Sequence, residues 1–374
     1  MLDSAKRYLS LTVVAALAVT AAHANQGSEH AVFVMTNDAD HNEIYSYAQN
    51  PQGRLENERI YPTAGRGSGG TVDPLATQGS LSLSSDGNWL LASNAGSGTV
   101  SAFLVSGSQL YLTDQVTSGG AEPNSIAQKG QLIYVLNAAG ASSVVGFWFD
   151  SGRLRRIPDS IRYLSGTAVG PGSVAFSPEG KWLAVTEKAT PSIDIFSVQP
   201  DGTLSQATIN KNVGPGTFSA TFSPTGTLVV AETGVAGATN GSAISTYVIQ
   251  PDSTLKAVSA SVPTLAAATC WDVVLDGGKF TYTSNAGTSN LSGFSLGANG
   301  GLTSLSGTLA ASNPTGSTNI DIAASADSQY VYTLNTATGT IGVFAVNASN
   351  GQLTNLGVSG HLPAKSGANG MVAH

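Results

Sequence analysis

The sequence repeats a unit of four short apolar segments that are separated by turns. One copy, residues 170–206, reads GPGSVAFSPEGKWLAVTEKATPSIDIFSVQPDGTLSQ. Its apolar segments have the length of β-strands, and the breaks at residues 177–180 (SPEG) and 199–202 (QPDG) contain residues that favour tight turns. We therefore predict a four-stranded antiparallel meander. Both of its faces are largely apolar, so the unit needs a neighbour on each side.

Six further copies of the unit supply these neighbours. Each copy ends its second strand on a polar residue, and these residues follow one another at intervals of 57, 43, 50, 45, 53 and 50 residues. Their positions are Asn37, Asn94, Asn137, Glu187, Glu232, Asn285 and Asn335. Seven four-stranded units with this period predict an all-β fold, a seven-bladed β-propeller. A solenoid is the alternative, but solenoid repeats usually place fewer strands in each turn.

The two ends of the chain are both predicted to belong to the first blade. Residues 32–35 match the second strand of a blade, and no first strand precedes them. Residues 367–373 (GANGMVA) resemble residues 122–127 (EPNSIA), which form the predicted first strand of blade three. We therefore predict that the C-terminal strand closes the ring by pairing with blade one, which removes two open sheet edges.

The first 24 residues have the features of a signal peptide. Lys6 and Arg7 precede an apolar run at residues 9–22, and residues 22–24 (AHA) have the form of a cleavage site. We predict a signal peptide at residues 1–24, a single propeller domain at residues 25–374, and export to the periplasm or beyond. The apolar run is short for a membrane span, although an uncleaved anchor is an alternative. No membrane span is expected in the mature chain.

Composition narrows the classes of ligand. Net charge is −7 and charged residues make up 10% of the chain, so a nucleic-acid partner is not expected. The single cysteine, Cys270, allows no disulfide within the chain. The five histidines do not have the spacing of metal ligands. Residues 38–42 (DADHN) open like a calcium loop, but the later glycine and glutamate are missing. We predict no metal and no cofactor.

Strand direction predicts where a functional site lies. In an antiparallel meander the second strands end on the side where the first strands begin, and loops there converge on the central channel. Asparagine at such ends favours turns, so Glu187 and Glu232, in adjacent blades, are the exceptions. We predict them as a catalytic acid–base pair; a cation site and a solvated rim are the alternatives. The candidate ligand-binding residues near the channel are Arg66, Asn124, Ser173, Trp271, Asp321 and Asn369.

Two long segments, GPGSVAFSPEGKWLAVTEK and SADSQYVYTLNTATGTIGVFAV, resemble the seven-bladed propeller lactonase family. That family includes bacterial phosphogluconolactonases and fungal carboxymuconate-lactonising enzymes. The segments TCWDVV and LPAKSGANGMVA are similar to its exported, largely uncharacterised branch. The resemblance covers nearly the whole chain after residue 24 and implies a propeller with lactone chemistry.

The resemblance carries over only part of the family's proposed catalytic site. Glu187 matches a family glutamate. The family's Arg-His pair falls on Gly172 and Ser173, and a further family histidine falls on Asn124. Two hypotheses follow. The first is an enzyme that hydrolyses or forms a lactone, using Glu187 with Glu232 or Arg66. The second is a non-catalytic propeller that binds a small molecule at the channel or a partner at the cell surface.

Overall fold

A computed structural model describes residues 30–275 and 277–374. The predicted signal peptide, residues 1–24, lies outside the described residues. The described residues form 29 β-strands, which pair antiparallel in seven separate sheets. None of their segments is a helix that is long and apolar enough to cross a membrane.

The strands follow one another in the chain blade by blade. Blade one has β1 (Ala31–Met35), β2 (Glu43–Gln49) and β3 (Leu55–Pro62). Blade two has β4 (Leu81–Leu83), β5 (Trp89–Asn94), β6 (Thr99–Ser106) and β7 (Gln109–Thr117). Blade three has β8 (Ala121–Lys129), β9 (Leu132–Ala139), β10 (Ser143–Asp150), β11 (Arg153–Arg156) and the short β12 (Arg162–Tyr163). Blade four has β13 (Pro171–Phe176), β14 (Trp182–Glu187), β15 (Ser192–Ser197) and β16 (Thr208–Lys211).

The remaining strands complete the ring. Blade five has β17 (Thr217–Phe222), β18 (Leu228–Glu232), β19 (Ala243–Ile249) and β20 (Leu255–Pro263). Blade six has β21 (Thr269–Val274), β22 (Phe280–Asn285), β23 (Asn290–Leu296) and β24 (Leu302–Ser312). Blade seven has β25 (Asn319–Ala324), β26 (Tyr330–Asn335), β27 (Thr340–Val346) and β28 (Leu353–Ser359). The last strand, β29 (Met371–Ala373), joins blade one. The predicted seven-bladed propeller is confirmed.

The predicted closure of the ring is also confirmed. Strand β29 pairs antiparallel with β1, with Met371 opposite Val34 and Ala373 opposite Val32. Just before β29, the Asn369 amide donates to the Met35 carbonyl at 3.0 Å. Blade one therefore takes its innermost strand from the C-terminal end of the chain and its other three from the N-terminal end.

Apolar side chains fill the spaces between the blades, and tyrosines connect neighbouring blades. Tyr134, Tyr282 and Tyr332 occupy the same position, three residues before the polar end of the second strand. All three side chains are buried. Their hydroxyls donate to the Gly202 carbonyl, the Gly351 carbonyl and the Gln49 side chain at 2.7, 2.6 and 2.9 Å. Each buried phenol thus has its partner in the next blade, as a buried hydroxyl requires.

Candidate functional site

The second strands end where the first strands begin, as strand direction predicted. Pro171 lies opposite Glu187 in blade four, Thr217 opposite Glu232 in blade five, and Asn319 opposite Asn335 in blade seven. We call this side of the ring the upper face. The opposite side, which carries turns such as residues 177–180, is the lower face.

The polar residues that end the second strands are buried rather than solvated. All seven side chains have no exposed surface. Their partners lie inside the protein: the Asn285 amide, for example, donates to Asn290 Oδ1 at 2.8 Å and to Ser292 Oγ at 2.9 Å. A solvated rim, one of the alternatives for this ring, is therefore excluded. Asn94, Asn285 and Asn335 connect the second strand to the third strand, and Asn37 binds the loop at residues 68–69.

Glu187 lies directly beneath two exposed hydroxyl residues of the upper face. Its Oε1 accepts the Ser165 amide at 2.9 Å, and its Oε2 accepts the Ser165 hydroxyl at 2.5 Å. The Thr190 hydroxyl donates to the same Oε2. Ser165 and Thr190 are exposed, whereas the Glu187 side chain is not. The carboxylate is thus covered by its own hydrogen-bond donors.

Asp194 places a second buried carboxyl beside Glu187. Other blades have Ser101, Ser245 or Ser292 at this position of the third strand. Neither Asp194 oxygen has a hydrogen-bond donor of good geometry, and the Ser165 backbone only weakly opposes the effect of burial. Burial raises the pKa of Asp194 to about 8, and the charge of Glu187 adds to the effect. We infer that Asp194 is protonated at neutral pH and donates to Glu187, because two adjacent buried carboxylates repel each other.

Replacing Asp194 with the serine of the other blades is expected to raise the melting temperature by about 3 °C at pH 8. The pKa of Asp194 is about 8 when folded, against a usual value of 3.8. Between these values only the folded state keeps the proton, so its contribution to stability falls as pH rises and is lowest above pH 8. The gain at pH 5 should be much smaller. Thermal unfolding at both pH values, with exposed Asp150→Ser as the control, measures this; equal gains at both pH values would contradict it.

Glu232 has its own set of donors and no hydrogen bond to Glu187. Its Oε1 accepts from the Asn212 amide at 3.0 Å and the Ser245 hydroxyl at 2.7 Å. Its Oε2 accepts from the Ser261 hydroxyl at 2.7 Å. Glu232 is one of the residues that line a small cavity of about 200 Å³, together with Asn240 and Gly241 of an exposed loop. The structure therefore joins Glu187 with Asp194 rather than with Glu232, and the catalytic roles of the two glutamates stay predictions.

The loop between blades one and two fills the upper end of the central channel. We call residues 73–80 (DPLATQGS) the channel segment. The Thr77 hydroxyl and the Gln78 amide both donate to the Gly172 carbonyl, at 2.5 and 3.0 Å. Gln78 also exchanges two hydrogen bonds with the backbone of Asp272, at 2.7 and 3.0 Å. The segment is therefore anchored on blades four and six, across the ring from its own blades.

Four of the predicted ligand-binding residues lie around this segment, and all four are buried. The Trp271 indole donates to the Thr77 carbonyl at 2.8 Å. The Asn369 amide donates to Asp73 Oδ1 at 2.8 Å. The Asn124 amide donates to the Pro171 carbonyl at 3.1 Å, and the Ser173 hydroxyl accepts the Ala220 amide at 2.9 Å. The structure brings these four residues together at the channel, where their polar groups bind protein atoms.

The other two predicted ligand-binding residues lie apart from this group. Arg66 is exposed on the upper face, in the glycine-rich loop, and its carbonyl accepts the Gly96 amide at 3.0 Å. Asp321 lies deeper in the channel and lines a cavity of about 650 Å³ that reaches the lower face. No group of three or more metal-binding side chains lies together in residues 30–275 and 277–374.

Asp73 and Lys188 are oppositely charged groups at the channel mouth, and the charge of each influences the pKa of the other. The Lys188 ammonium donates to the Pro171 carbonyl at 3.2 Å and to the Ala76 carbonyl. Burial lowers the pKa of Lys188 to about 8, and the charge of Asp73 opposes that shift. Burial raises the pKa of Asp73 to about 7, and the charge of Lys188 opposes it. Both residues are partly exposed. Perturbed pKa values of this kind are typical of functional sites.

Comparison with known proteins supports the family resemblance. Residues 26–171 match the family described as Lactonase, 7-bladed beta-propeller. The predicted resemblance to this family is confirmed. No curated protein sequence matches the chain.

Solved structures share the propeller fold with this lactonase-like chain. A candidate 6-phosphogluconolactonase from Bacteroides fragilis has a TM-score of 0.66 at 19% identity, over 94% of this chain and 99% of the other. The periplasmic gluconolactonase of Pseudomonas aeruginosa has a TM-score of 0.64 at 15% identity, over 91% of this chain and 99% of the other. Apo AztD of Citrobacter koseri has a TM-score of 0.56 at 12% identity, over 93% and 98% of the two chains. At these identities the similarity shows the fold alone.

Sequence reasoning missed Asp73, Lys188 and Asp194. Asp194 has a signal in the repeats, because aligned third strands place serine at its position in three blades. Lys188 follows Glu187 directly, but nothing in the repeat indicates that its side chain points to the channel mouth. Asp73 lies in an inter-blade loop that has no counterpart in the other repeats, so its position could not be inferred.

Proposed function

We propose that this lactonase-like propeller hydrolyses a lactone at its upper face, and that Lys188 and Asp73 are the reacting groups. The observation that carries the proposal is the position of Lys188 and Asp73 at the channel mouth, where the ammonium binds the Ala76 and Pro171 carbonyls and the carboxylate binds the Asn369 side chain. Burial shifts both pKa values towards neutrality, to about 8 for Lys188 and about 7 for Asp73. The chain lacks the family's Arg-His pair, since Gly172 and Ser173 stand at those positions. Lys188, which directly follows β14, supplies a positive charge in place of the family's arginine.

The two groups suit the steps of ester hydrolysis. The Asp73 carboxylate takes a proton from water as the water oxygen attacks the lactone carbonyl carbon. The Lys188 ammonium stabilises the negative charge that forms on the carbonyl oxygen. When the ring C–O bond breaks, the leaving alkoxide takes the proton back from Asp73. The product is a hydroxy acid, and no cofactor takes part in this sequence.

A screen of the purified protein against aldonolactones and simple γ- and δ-lactones tests the proposal. We expect hydrolysis, measured as acid release in a pH-stat, and no hydrolysis of any lactone would overturn the proposal. The predicted carboxylate pair enters the same assay as Glu187→Gln and Glu232→Gln. If Glu187 acts directly, Glu187→Gln lowers the rate by about a hundredfold or more. If the reaction depends on Asp73 and Lys188, both glutamine variants keep most of the activity.

A non-catalytic binding propeller is the second candidate, and the channel segment favours it. Residues 73–80 occupy the upper end of the channel, and the predicted ligand-binding residues beneath them already bind protein atoms. A small molecule would then bind at the exposed surface around Arg66 and Lys188. This candidate gains support if the chain binds a lactone or its hydroxy acid in calorimetry but leaves the lactone intact.

We also propose that the chain is exported and that its first 24 residues are removed. The proposal rests on the basic, apolar and AHA segments at residues 1–24. The periplasmic gluconolactonase of Pseudomonas aeruginosa, which has the same fold, supports it. Mass spectrometry of the protein from a periplasmic or culture fraction is expected to show a first residue at or near Asn25. Protein that retains Met1 in the membrane fraction would indicate an anchor instead.

A further inference from the structure

A funnel-shaped cavity lies along the channel axis. It has a volume of about 650 Å³. Gln78 and Gly79 of the channel segment line its inner end, and the turns at residues 84–87 and 325–326 line its mouth at the lower face. The funnel is therefore separated from the upper face by the channel segment. It is a different compartment from the proposed lactone site.

Asp321 places a carboxyl group in this funnel. Its side chain is only 2% exposed. One oxygen accepts the Ile322 amide at 2.8 Å, and the other accepts the Met371 amide at 2.8 Å. These two hydrogen bonds favour the ionised carboxylate, and burial opposes them. None of the residues that line the funnel is a lysine or an arginine, so burial favours the protonated form of Asp321 until a cation enters the funnel.

The structural task of Asp321 does not require a carboxyl group. In blades three and four the residues at the same place in the first strand are serines. The Ser125 hydroxyl accepts the Val174 amide of the next blade at 3.2 Å, and the Ser173 hydroxyl accepts the Ala220 amide at 2.9 Å. Asp321 accepts the Met371 amide in the same way. A hydroxyl group thus suffices to join neighbouring blades at this position. The second oxygen and the charge of Asp321 are not needed for that contact.

The remaining lining suits a cation that carries a hydrocarbon group. Leu81, Leu83, Ile126, Val273 and Ile322 form apolar walls around the carboxyl group. Asp86 adds a second carboxylate at the mouth, where hydrogen bonds from Ser84 and Asn88 hold its pKa below the usual range. A metal ion fits less well, because the described residues offer no group of three metal ligands.

From this geometry we propose that the lower funnel is a binding site for a small organic ammonium ion. The ammonium group pairs with Asp321 at the inner end, and the hydrocarbon part packs on the apolar walls. Burial raises the pKa of Asp321 well above its usual value, and the neighbouring Asp73 adds to the shift. A bound ammonium ion favours the ionised carboxylate, so affinity should increase as pH rises. The other titratable groups of the lining are Asp86 at the mouth and His374.

Isothermal titration calorimetry with n-butylammonium chloride tests the site, and n-butanol serves as the neutral analogue. We expect saturable binding of n-butylammonium, at least tenfold weaker binding of n-butanol, and tighter binding at pH 8 than at pH 6. Asp321→Ser is the matched variant, because it restores the residue found in blades three and four and keeps an acceptor for the Met371 amide. It should weaken n-butylammonium binding at least tenfold while the protein remains folded in thermal unfolding.

Exposed Asp327→Ser, just outside the funnel, is the control and should leave binding unchanged. Equal affinity for the charged and neutral probes would overturn the proposal, as would undiminished binding by a folded Asp321→Ser protein. Titration with calcium chloride and sodium chloride forms a further arm. Tight binding of either metal ion that displaces n-butylammonium would show an inorganic cation site instead. Because the funnel and the upper face are separate, these results do not depend on whether the chain hydrolyses a lactone.

Discussion

Removal of residues 367–374 is expected to destabilise the whole propeller by about 5 kcal/mol or more, and not only its first blade. The deletion removes the pairing of β29 with β1. The hydrogen bond that the backbone N–H of Asn369 donates to the Met35 carbonyl is lost as well. It also removes the acceptor of the Ser80 hydroxyl and leaves the buried Asp321 without the Met371 donor. The edge of β1 that pairs with β29 then becomes an open sheet edge facing the channel.

Thermal and urea unfolding of the truncated and full-length proteins measure this effect. A shortened loop at residues 235–240 is the matched control, because these residues are mostly exposed and lie outside the sheets. The control should unfold like the full-length protein. If truncation at residue 366 leaves the urea midpoint unchanged, closure by β29 contributes little to stability and the prediction is wrong. If the truncated protein does not fold, the milder variant Asn369→Ala should still lower the midpoint.

Lys188→Met and Asp73→Asn are each expected to lower kcat/KM for the best lactone by about a hundredfold or more. Methionine removes the charge that stabilises the oxyanion and keeps the length of the side chain. Asparagine keeps an acceptor for the Asn369 amide but cannot take a proton. Lys181→Met is the control, because Lys181 is exposed and lies over the Trp182 ring, away from the channel mouth.

The pH dependence provides an independent measurement. Catalysis requires Asp73 to be ionised and Lys188 to be protonated. The pKa of Asp73 is about 7 and that of Lys188 about 8, so the rate should rise to a maximum between these values and then fall. The Asp73→Asn protein should lose the acidic limb of the profile. A rate that increases steadily to pH 10 would show hydroxide attack without these groups and would contradict the proposed mechanism.

The strands could be predicted well from the repeat, because the local sequence of each strand indicates its length and which of its residues are buried. The polar residue at the end of each second strand fixed the register of all seven blades, and the closing strand followed from the missing first strand of blade one. These inferences need only patterns within about 50 residues. They therefore gave the correct number of blades, the correct strand order and the side of the ring on which the second strands end.

The directions of the site residues could not be predicted, and β-bulges are the physical reason. In blades three to seven the pairing of the first strand with the second shifts register near the start of the first strand, as between Pro171 and Ser173. A bulge adds one residue, which moves the following side chains to the other face. Simple alternation therefore fails at the positions that decide whether Asp321 or Trp271 faces the channel. The path of the channel segment could not be predicted for a different reason. It is a loop, and the residues that it binds lie far away in the sequence.

The channel segment also restricts how a protein of this kind can change over evolutionary time. Repeat proteins whose units contact only their neighbours can gain or lose a unit, because each new boundary resembles the old ones. Here the Gln78 side chain is hydrogen-bonded to the backbone of Asp272, 194 residues later in the chain. The Asn369 side chain is hydrogen-bonded to Asp73, 296 residues earlier. Duplication or loss of one blade would widen or narrow the channel and move these partners out of reach. The hydrogen bonds across the channel thus oppose a change in the number of blades, whereas substitutions in the exposed loops leave these bonds intact.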